Sequence, residues 1–284
     1  MNILSLSKND IKSLLPPRPQ ISHKYTFGRV VAVCGSEGMC GAAYLCAKAA
    51  YRTGCGLVEI VTPEQNRIPL QASLPEAIVT CYNSADPDKS VIRAAVRRAD
   101  TVVVGCGLGT SPASIKVLDT VLRAATSPLV IDADALNIIA ADAAFWDTLK
   151  VPTVITPHMG EMSRLTGTDV DTIQNSIATV AKDFATDHNI TCLLKHHKTV
   201  ISDGESTYIN RFGNSGMATG GSGDVLAGII ASLLAQQKSA DELCRTAALG
   251  ALIHSLAGDL AAERLGEYSV MASDIIEEIS GVLK

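Results

Sequence analysis

Glycines and small residues crowd in front of a single acid, Asp224, in the stretch 213–224, and an apolar run with helical spacing follows in residues 225–234. This pattern predicts a loop that leads into a helix, with Asp224 in its first turn and Ser222 available as a cap residue. A helix start offers unpaired N–H groups and the positive end of the helix dipole, and both favour anions. Because an ordinary helix start needs only one cap residue, the additional glycines indicate an anion site with a catalytic acid rather than a plain tight turn.

Further clusters of glycine and polar residues follow predicted strands at their carboxyl ends. They begin at Gly35, Gly105, Asp132, Pro157 and Lys195. Since ligands of open parallel sheets bind at this edge, we expect the clusters to converge on one site. The sequence contains neither a Walker A motif nor a dinucleotide fingerprint, which excludes a P-loop enzyme and a typical Rossmann dehydrogenase. An acid behind a glycine loop instead suits phosphoryl transfer to a hydroxyl group, whose proton the acid takes.

Predicted strands and helices alternate along the chain, beginning with strand 29–34, helix 42–53 and strand 57–61. Such βαβ units imply parallel strands, and the abundance of small aliphatic residues suits helices packed on a parallel sheet. We therefore predict an α/β fold, a three-layer αβα architecture with a mostly parallel central sheet. No linker, repeat or low-complexity tract divides the sequence, so we expect a single domain over residues 1–284.

Several local patterns make narrower predictions. Residues 3–15 are amphipathic and predict an N-terminal helix, which the following prolines end, and residues 16–24 predict an extended arm. The apolar spacing of residues 172–188 predicts one long helix. The dipeptide Asp203-Gly204 between two short β-rich runs predicts a hairpin turn.

The C-terminal part of the chain carries both a start and a stop signal for a helix. Ser239 and Glu242 have the spacing of a capping box, which predicts a helix start. Gly266 predicts the end of that helix near Leu265.

Composition limits the partners and the compartment. The 24 basic and 29 acidic side chains form no basic patch, so we expect no nucleic-acid partner. No signal-peptide pattern or apolar run of bilayer length occurs, so we expect a soluble cytoplasmic protein without a membrane partner. The eight cysteines lack a C-x-x-C pair and are interpreted as reduced, mostly buried thiols. Cys34, Cys40 and Cys46 are evenly spaced, but they span a strand, a loop and a helix, so we predict no metal site from that spacing.

Longer motifs carry a family resemblance. Residues 220–224 (GGSGD) resemble the G-x-G-D anion-hole motif of ribokinase-like enzymes. Four further motifs narrow the resemblance: GSEGMCGAA at 35–43, DADALN at 132–137, TPHMGE at 156–161 and NSGMATGGSGD at 214–224. Together they resemble the ADP/ATP-dependent NAD(P)H-hydrate dehydratases, and the match covers residues 14–283.

The resemblance implies a reaction and a set of site residues. Enzymes of this family are carbon–oxygen lyases that repair the S epimer of hydrated NADH and NADPH: ADP or ATP, with Mg²⁺, phosphorylates the substrate hydroxyl, and phosphate is then eliminated. Asp224 matches the family's catalytic base, and we expect its carboxylate to stay ionised at a helix N-terminus. The implied anion hole consists of Gly221, Ser222 and Gly223. The implied substrate contacts are Ala42, Gly105, His158 and Asp224, and the implied nucleotide contacts are Lys195, His196, His197, Lys198, Thr199, Asn214 and Gly223.

The resemblance also suggests partners. The family's habits and the arm at residues 16–24 suggest a homotetramer. The sequence has no room for the epimerase domain often fused to these enzymes, so we expect NAD(P)H-hydrate epimerase to be a separate protein.

Some assignments stay open at the level of sequence. Asp132 and Asp134 either orient a Mg²⁺–water shell or leave Asp134 to cap the next helix. Glu161 either binds Mg²⁺ through water or caps its own helix. Lys195 is interpreted as a phosphate or ribose contact rather than a solvated strand end. His196 stands where the family commonly has the glycine of K-G-x-x-T, and its side chain either packs on the adenine or is turned away.

Two other functions compete with the dehydratase. One is a small-molecule alcohol kinase of the same fold, of the hydroxymethylpyrimidine or thiazole type, whose product keeps its phosphate. The other is a non-catalytic nucleotide-binding module. The intact Asp224 and its glycine loop argue against the module, and His158 together with the segment 38–42 favours the dehydratase over the kinase.

Overall fold

A computed structural model describes residues 3–237 and 242–284. Its centre is a ten-stranded sheet with the strand order β1-β10-β9-β8-β7-β6-β5-β2-β3-β4. The strands are β1 (Ile3–Leu4), β2 (Arg29–Val33), β3 (Leu57–Pro63), β4 (Ile78–Tyr82), β5 (Thr101–Val104), β6 (Leu129–Ile131), β7 (Thr153–Ile155), β8 (Thr191–Leu194), β9 (Val200–Ser202) and β10 (Thr207–Ile209).

The sheet is parallel apart from the pairings of β9. Strand β9 runs antiparallel to both β8 and β10, as the hairpin signal at Asp203-Gly204 predicted. All other neighbours pair in parallel, including β1 on β10. The predicted mostly parallel sheet is therefore confirmed, and the carboxyl ends of the central strands lie at one edge.

Helices cover both faces of the sheet. They are α1 (Ile11–Leu14), α2 (Cys40–Arg52), α3 (Arg67–Ser73), α4 (Lys89–Val96), α5 (Pro112–Ala124), α6 (Asp134–Ala141), α7 (Met159–Thr166), α8 (Val170–Asn175), α9 (Ile177–His188), α10 (Ser222–Gln236), α11 (Leu243–Leu265) and α12 (Ala272–Val282). Strand β2 shows how the layers form, because Val31 and Val33 pack into a core with α4–α9, while Val30 and Ala32 face α2 and α10. The three-layer αβα prediction is confirmed.

Helix α10 is held tightly between the sheet and its neighbours. A Cβ atom on Gly228 would lie 2.1 Å from the carbonyl oxygen of Cys46 in α2, so only glycine permits this approach of the two backbones. Helices α11 and α12 cover the outer side of α10, where Val225, Ile229 and Leu233 are fully buried. The start of α10, which carries Asp224, is thereby fixed at the carboxyl edge of the sheet.

The prediction of an N-terminal helix over residues 3–15 is wrong for most of its length. Ile3 and Leu4 form strand β1 on the edge of β10. A helical segment begins only after Ser7, whose N–H and hydroxyl both donate to the Asp10 carboxylate at 2.7 Å, and α1 itself has four residues. The free edge of β10 offers Ile3 and Leu4 backbone partners that an isolated short helix lacks, and the prolines end α1 as expected.

The predicted arm lies partly against its own chain. The guanidinium of Arg18 donates to the carbonyl of Gly54 at 2.9 Å and sits over the ring of Phe27 at 3.8 Å. Other residues of the arm, among them Ile21, are exposed.

Two other helix predictions are revised or confirmed. The segment 172–188 is not one helix but two, because Asp169 caps a separate helix α8 and the chain turns at Ser176 before α9. Ser176 lies outside helical geometry with ψ of 29°, in keeping with the low helix preference of serine. Helix α11 ends at Leu265 before Gly266 as predicted, whereas Ser239 of the predicted capping box lies outside the described residues.

In the part of the chain that the structure describes, every helix is too short or too polar to cross a membrane.

Candidate active site

The predicted clusters meet at the carboxyl edge of the sheet. His158 and Lys195, which follow β7 and β8, form a parallel bridge, and the Lys195 N–H donates to the carbonyl of Pro157 at 2.8 Å. Asp132 follows β6 between them and Gly105, which follows β5. The expected convergence of these loops on one region is therefore observed.

The start of α10 presents unpaired backbone donors to this region. Gly221 is the N-cap residue with φ of 90°, a left-handed conformation that favours glycine. The next N–H groups, those of Gly223 and Asp224, have no hydrogen-bond partner among residues 3–237 and 242–284. Two adjacent unpaired N–H groups at the positive end of a fifteen-residue helix can hold an anionic oxygen.

Ser222, the available cap residue, does not cap this helix. It is the first residue of α10, and its hydroxyl lies 3.3 Å from Nε2 of His254 in α11. Burial lowers the pKa of His254 to about 4, so this imidazole is neutral and fixes the loop from behind without adding charge. The cap position belongs to Gly221 because a left-handed residue is needed to turn the chain into the helix.

The Asp224 carboxyl does not behave as the helix dipole alone would predict. Burial, together with the nearby negative charge of Asp132, raises the pKa of Asp224 to about 7. The expectation that the helix start keeps this carboxylate ionised is therefore wrong. Desolvation outweighs the opposing effects of the Cys106 thiol and of Lys195, so this group exchanges its proton near neutral pH.

Asp132 and Lys195 form a buried ion pair next to Asp224. Oδ1 of Asp132 accepts hydrogen bonds from Nζ of Lys195 at 2.8 Å and from the Thr156 hydroxyl at 2.7 Å. Burial opposes the charge of Lys195, but Asp132 and Glu161 more than compensate and raise its pKa. Lys195 is thus a fixed cation inside the site rather than a solvated strand end.

Gly223 gives this cation access to the helix start. A Cβ atom on Gly223 would lie 3.2 Å from Nζ of Lys195 and 3.8 Å from Oδ2 of Asp132. The absence of a side chain at this position therefore lets the ammonium group, the carboxylate and the free N–H groups share one small volume.

The loop after β5 brings Gly105 and Ala42 together with this group. Gly105 has φ of 123°, and a Cβ atom there would lie 1.9 Å from the Asp132 carbonyl oxygen. A Cβ atom on Gly107 would lie 2.8 Å from that of Ala42, so the loop packs directly on the first turn of α2. The Asp134 carboxylate accepts from the N–H of Gly109 at 2.8 Å. Asp134 therefore braces this loop and neither joins Asp132 nor serves as the N-cap of α6, which is Ala133.

His158 and Glu161 cap helix α7 reciprocally. Nδ1 of His158 accepts from the N–H groups of Gly160 at 3.0 Å and Glu161 at 3.3 Å, while the Glu161 carboxylate accepts from the N–H of His158 at 2.8 Å. Burial, with the charges of Lys195 and Arg164, lowers the pKa of His158. The imidazole is thus neutral with its proton on Nε2, and 54% of its side chain remains exposed. Burial raises the pKa of Glu161, whose carboxyl is committed to the cap.

The segment 195–199 lies beside the site and leads into strand β9. The rings of His196 and His197 stack edge to face with centroids 4.1 Å apart, so the side chain that replaces the family's glycine packs on its neighbour. Thr199 closes the turn by donating to the His196 carbonyl at 3.1 Å, and Lys198 is exposed. Asn214 is used locally, since its side chain donates to Gly258 and Asp259 in α11 at 3.0 Å.

Sequence reasoning missed several residues that shape the site. His254 and Asp259 in α11 hold the glycine loop, and nothing in the α11 sequence distinguished them from other helix residues. Thr156 belongs to the motif at 156–161, whose spacing did not indicate that its hydroxyl donates to Asp132. Cys106 was interpreted as a buried thiol, yet its Sγ lies 3.8 Å from Oδ2 of Asp132. Hydrogen bonds from the thiols of Cys106 and Cys46 lower the pKa of Cys34 behind it.

A parallel sheet covered by helices on both faces, with an acid and free N–H groups at the start of a helix on its carboxyl edge, defines an enzyme of the ribokinase-like class. The family model described as NAD(P)H-hydrate dehydratase matches residues 30–280. The chain therefore belongs to the NAD(P)H-hydrate dehydratase family, as the sequence resemblance indicated.

Individual relatives agree. An ADP-dependent (S)-NAD(P)H-hydrate dehydratase from Neisseria meningitidis is 38% identical over 88% of this chain and 82% of its own. A bifunctional NAD(P)H-hydrate repair enzyme from Moorella thermoacetica is 40% identical over 96% of this chain, which spans only 52% of that relative. The solved structure of the ADP/ATP-dependent NAD(P)H-hydrate dehydratase from Bacillus subtilis, co-crystallised with ATP and Mg²⁺, is 26% identical with a TM-score of 0.84 and covers 99% of this chain and 98% of its own.

Proposed function

We propose that this protein converts the S epimer of hydrated NADH or NADPH back to NADH or NADPH, with ADP or ATP as the phosphoryl donor. The observation that carries the proposal is the pair of unpaired N–H groups of Gly223 and Asp224 beside a carboxyl whose pKa is about 7. Family membership and the names of the relatives support the choice of substrate. Nucleotide repair is the corresponding physiological role.

The first chemical step is phosphoryl transfer. The substrate hydroxyl oxygen attacks the terminal phosphorus of the nucleotide, the bond from that phosphorus to the bridging oxygen breaks, and AMP leaves when ADP is the donor. The unpaired N–H groups of Gly223 and Asp224, together with Lys195, form the proposed anion hole for the transferring oxygens. The Ser222 N–H, which the resemblance included in the anion hole, instead donates to the Thr219 carbonyl at 3.3 Å. Asp224 takes the hydroxyl proton during the transfer, because a carboxylate is far too weak a base to ionise an alcohol beforehand.

The second step restores the nicotinamide ring. The C–O bond to the new phosphate breaks, the adjacent ring carbon loses a proton, and a double bond forms between the two carbons. Phosphorylation makes this possible because phosphate is a good leaving group and hydroxide a poor one. The products are NAD(P)H, inorganic phosphate and the shortened nucleotide.

We place the hydrated dinucleotide over Ala42, Gly105 and His158, with its hydroxyl at Asp224. The Gly107 loop packs against Ala42, and the neutral His158 presents a polar, half-exposed ring on the other side of Asp132.

The adenine nucleotide is assigned to the segment 195–199, Asn214 and Gly223. Lys195 is the fixed cation for its phosphates, and the exposed Lys198 adds a second positive charge at the rim. The edge-to-face pair of His196 and His197 offers a ring face to the adenine. Asn214 acts by ordering the glycine loop through Asp259.

The donor set also suits Mg²⁺, which prefers oxygen ligands and keeps several waters beside substrate phosphates. Oδ2 of Asp132 has only a 3.8 Å contact to the Cys106 thiol, so this oxygen is available to a hydrated cation. We propose that Asp132 holds Mg²⁺ through water, whereas Glu161 acts as the α7 cap. When bound, the ion neutralises phosphate charge.

We extend the proposal to the cell and the assembly. All eight cysteines are free, which fits the reducing cytoplasm as the site of action. A homotetramer and a separately encoded epimerase remain predictions, and light scattering on the purified protein tests the first of them.

The deciding experiment incubates purified protein with hydrated NADH, Mg²⁺ and either ADP or ATP. We expect NADH absorbance to return with release of one phosphate per NADH. A stable phosphorylated product would instead establish the alcohol kinase of the same fold. Running ADP and ATP in parallel, with hydrated NADPH as second substrate, settles both preferences.

A further inference from the structure

Three cysteines form a cluster directly behind the proposed active site. Cys34 follows β2, Cys46 lies in α2 and Cys106 follows Gly105, and their Sγ atoms all lie within 4.8 Å of one another. All three side chains are fully buried. Cys40, which shares the even spacing of Cys34 and Cys46 in the sequence, is not part of the group.

Cys106 connects the cysteine cluster to the carboxylates of the proposed active site. Cys106 belongs to a second group in which its Sγ and one carboxylate oxygen each of Asp132 and Asp224 lie within 4.8 Å of one another. An ion held by the three sulfur atoms would therefore lie next to the proposed base and next to the Asp132–Lys195 pair.

The geometry suits a soft divalent cation. Two sulfurs that each bind one Zn²⁺ at about 2.3 Å lie about 3.8 Å apart at the tetrahedral angle. The observed upper limit of 4.8 Å therefore requires each sulfur to move by less than about 1 Å. Thiolates select soft metals over Mg²⁺, whose preferred ligands are oxygens, so the cluster and the proposed Mg²⁺ position do not compete for the same ion.

We propose that Cys34, Cys46 and Cys106 form a binding site for one thiophilic divalent cation, such as Zn²⁺ or Cd²⁺, and that its occupation inhibits the enzyme. Binding replaces the thiol protons by the metal and releases them to solvent. The bound ion then attracts the nearby carboxylates of Asp132 and Asp224, so that Asp224 no longer accepts the substrate proton. The inhibition rests on the proposed function, whereas metal binding does not.

Cadmium is the probe for the site. The reduced protein, kept in a phosphine reductant that contains no thiol, is titrated with Cd²⁺ in the presence of excess Mg²⁺. We expect the ultraviolet thiolate-to-cadmium absorption band to saturate at one equivalent, and native mass spectrometry to show one bound ion. Turnover should be lost in the same titration and return when a chelator removes the ion.

Two matched variants locate the ion. Cys46→Ala removes one sulfur from the cluster and should weaken Cd²⁺ binding at least tenfold while the variant becomes resistant to inhibition. Cys192→Ala removes an equally buried cysteine from the opposite core and should behave as the unchanged protein. If Cys46→Ala is too unstable, Cys46→Ser answers the same question.

The outcomes separate cleanly. Equal Cd²⁺ affinity in Cys46→Ala and Cys192→Ala overturns the site, as does binding that persists in Cys46→Ala and disappears in His197→Ala. The absorption band and native mass spectrometry measure Cd²⁺ binding without any turnover. A lack of dehydratase activity would therefore contradict the proposed function, while these two measurements would still test the metal site.

Discussion

The ammonium group of Lys195 lies 2.8 Å from Oδ1 of Asp132, and this pair stands beside the carboxyl of Asp224. The two partners act on Asp224 in opposite directions, because the charge of Asp132 raises its pKa and that of Lys195 lowers it. The pair therefore adjusts the proton affinity of the proposed base.

Neutralising either partner should move the pH profile in a defined direction. Asp132→Asn removes the charge that raises the pKa of Asp224, so the acidic limb of kcat/KM should shift from near pH 7 to lower pH by about 1 unit. Lys195→Met removes the charge that lowers the pKa, so the limb should shift to higher pH. Both variants lose rate as well, but shifts of the same sign would contradict the electrostatic account.

The anion hole predicts a difference between two glycines of one loop. In Gly223→Ala the new methyl group would lie 3.2 Å from Nζ of Lys195, and we expect kcat/KM to fall on the order of tenfold or more. A Cβ atom on Gly220 would meet no heavy atom of the described chain within 4 Å, so Gly220→Ala should stay near the activity of the unchanged enzyme. Steady-state kinetics on both variants decide the matter, and equal losses would mean that the site is not centred on Gly223.

The ionised Asp224 carboxylate should lower the free energy of unfolding above about pH 7. Its pKa is raised from 3.8 to about 7 in the folded protein, so the folded state holds the proton more tightly than the unfolded chain. The protonated Asp224 contributes fully to the free energy of unfolding below about pH 4, and this contribution is lost as the pH rises through about 7. Asp224→Asn should therefore be more stable than the unchanged protein above pH 7, by about 1 kcal/mol or more in the free energy of unfolding.

Denaturant unfolding at several pH values measures this difference. The matched control is the same substitution at an exposed position of α9, Asp183→Asn. A gain in Asp224→Asn that is independent of pH would show that packing rather than titration is responsible.

The unusual histidine of the nucleotide segment gives a further prediction. His196→Gly restores the residue common in the family and removes the ring that packs on His197, so the backbone can approach the nucleotide more closely. We expect the KM for ADP or ATP to fall about threefold with kcat nearly unchanged. A loss of kcat without a change in KM would instead place His196 in the chemistry.

Much of the fold was predictable because its signals are local. The alternation of buried strands and amphipathic helices predicted the parallel sheet, and the loops at the strand ends predicted where the site lies. Ile3 and Leu4 escaped prediction because the partner that makes them a strand, β10, is about 200 residues away in the sequence. The break at Ser176 depends on how Asp169 starts α8, which the continuous apolar spacing concealed.

The candidate site was predictable by position and only partly by chemistry. The sequence located Asp224 at a helix start, but its pKa depends on burial and on Asp132, which lies 92 residues earlier. Glu161 caps α7 and Asp134 binds the Gly109 N–H because of the directions in which their side chains point. The spacing of residues in the sequence does not determine those directions. Cys106 gave no signal, because a buried thiol in a glycine loop resembles ordinary core packing.

The most direct test of the central claim compares Asp224→Asn with the unchanged enzyme on hydrated NADH, ADP and Mg²⁺. We expect the variant to bind ADP with unchanged affinity by calorimetry, because the N–H groups of the α10 start remain. Its NADH formation and phosphate release should fall together by a factor of about 100 to 10,000, the usual contribution of a positioned base. Turnover at the rate of the unchanged enzyme would contradict the assignment of Asp224 as the catalytic base.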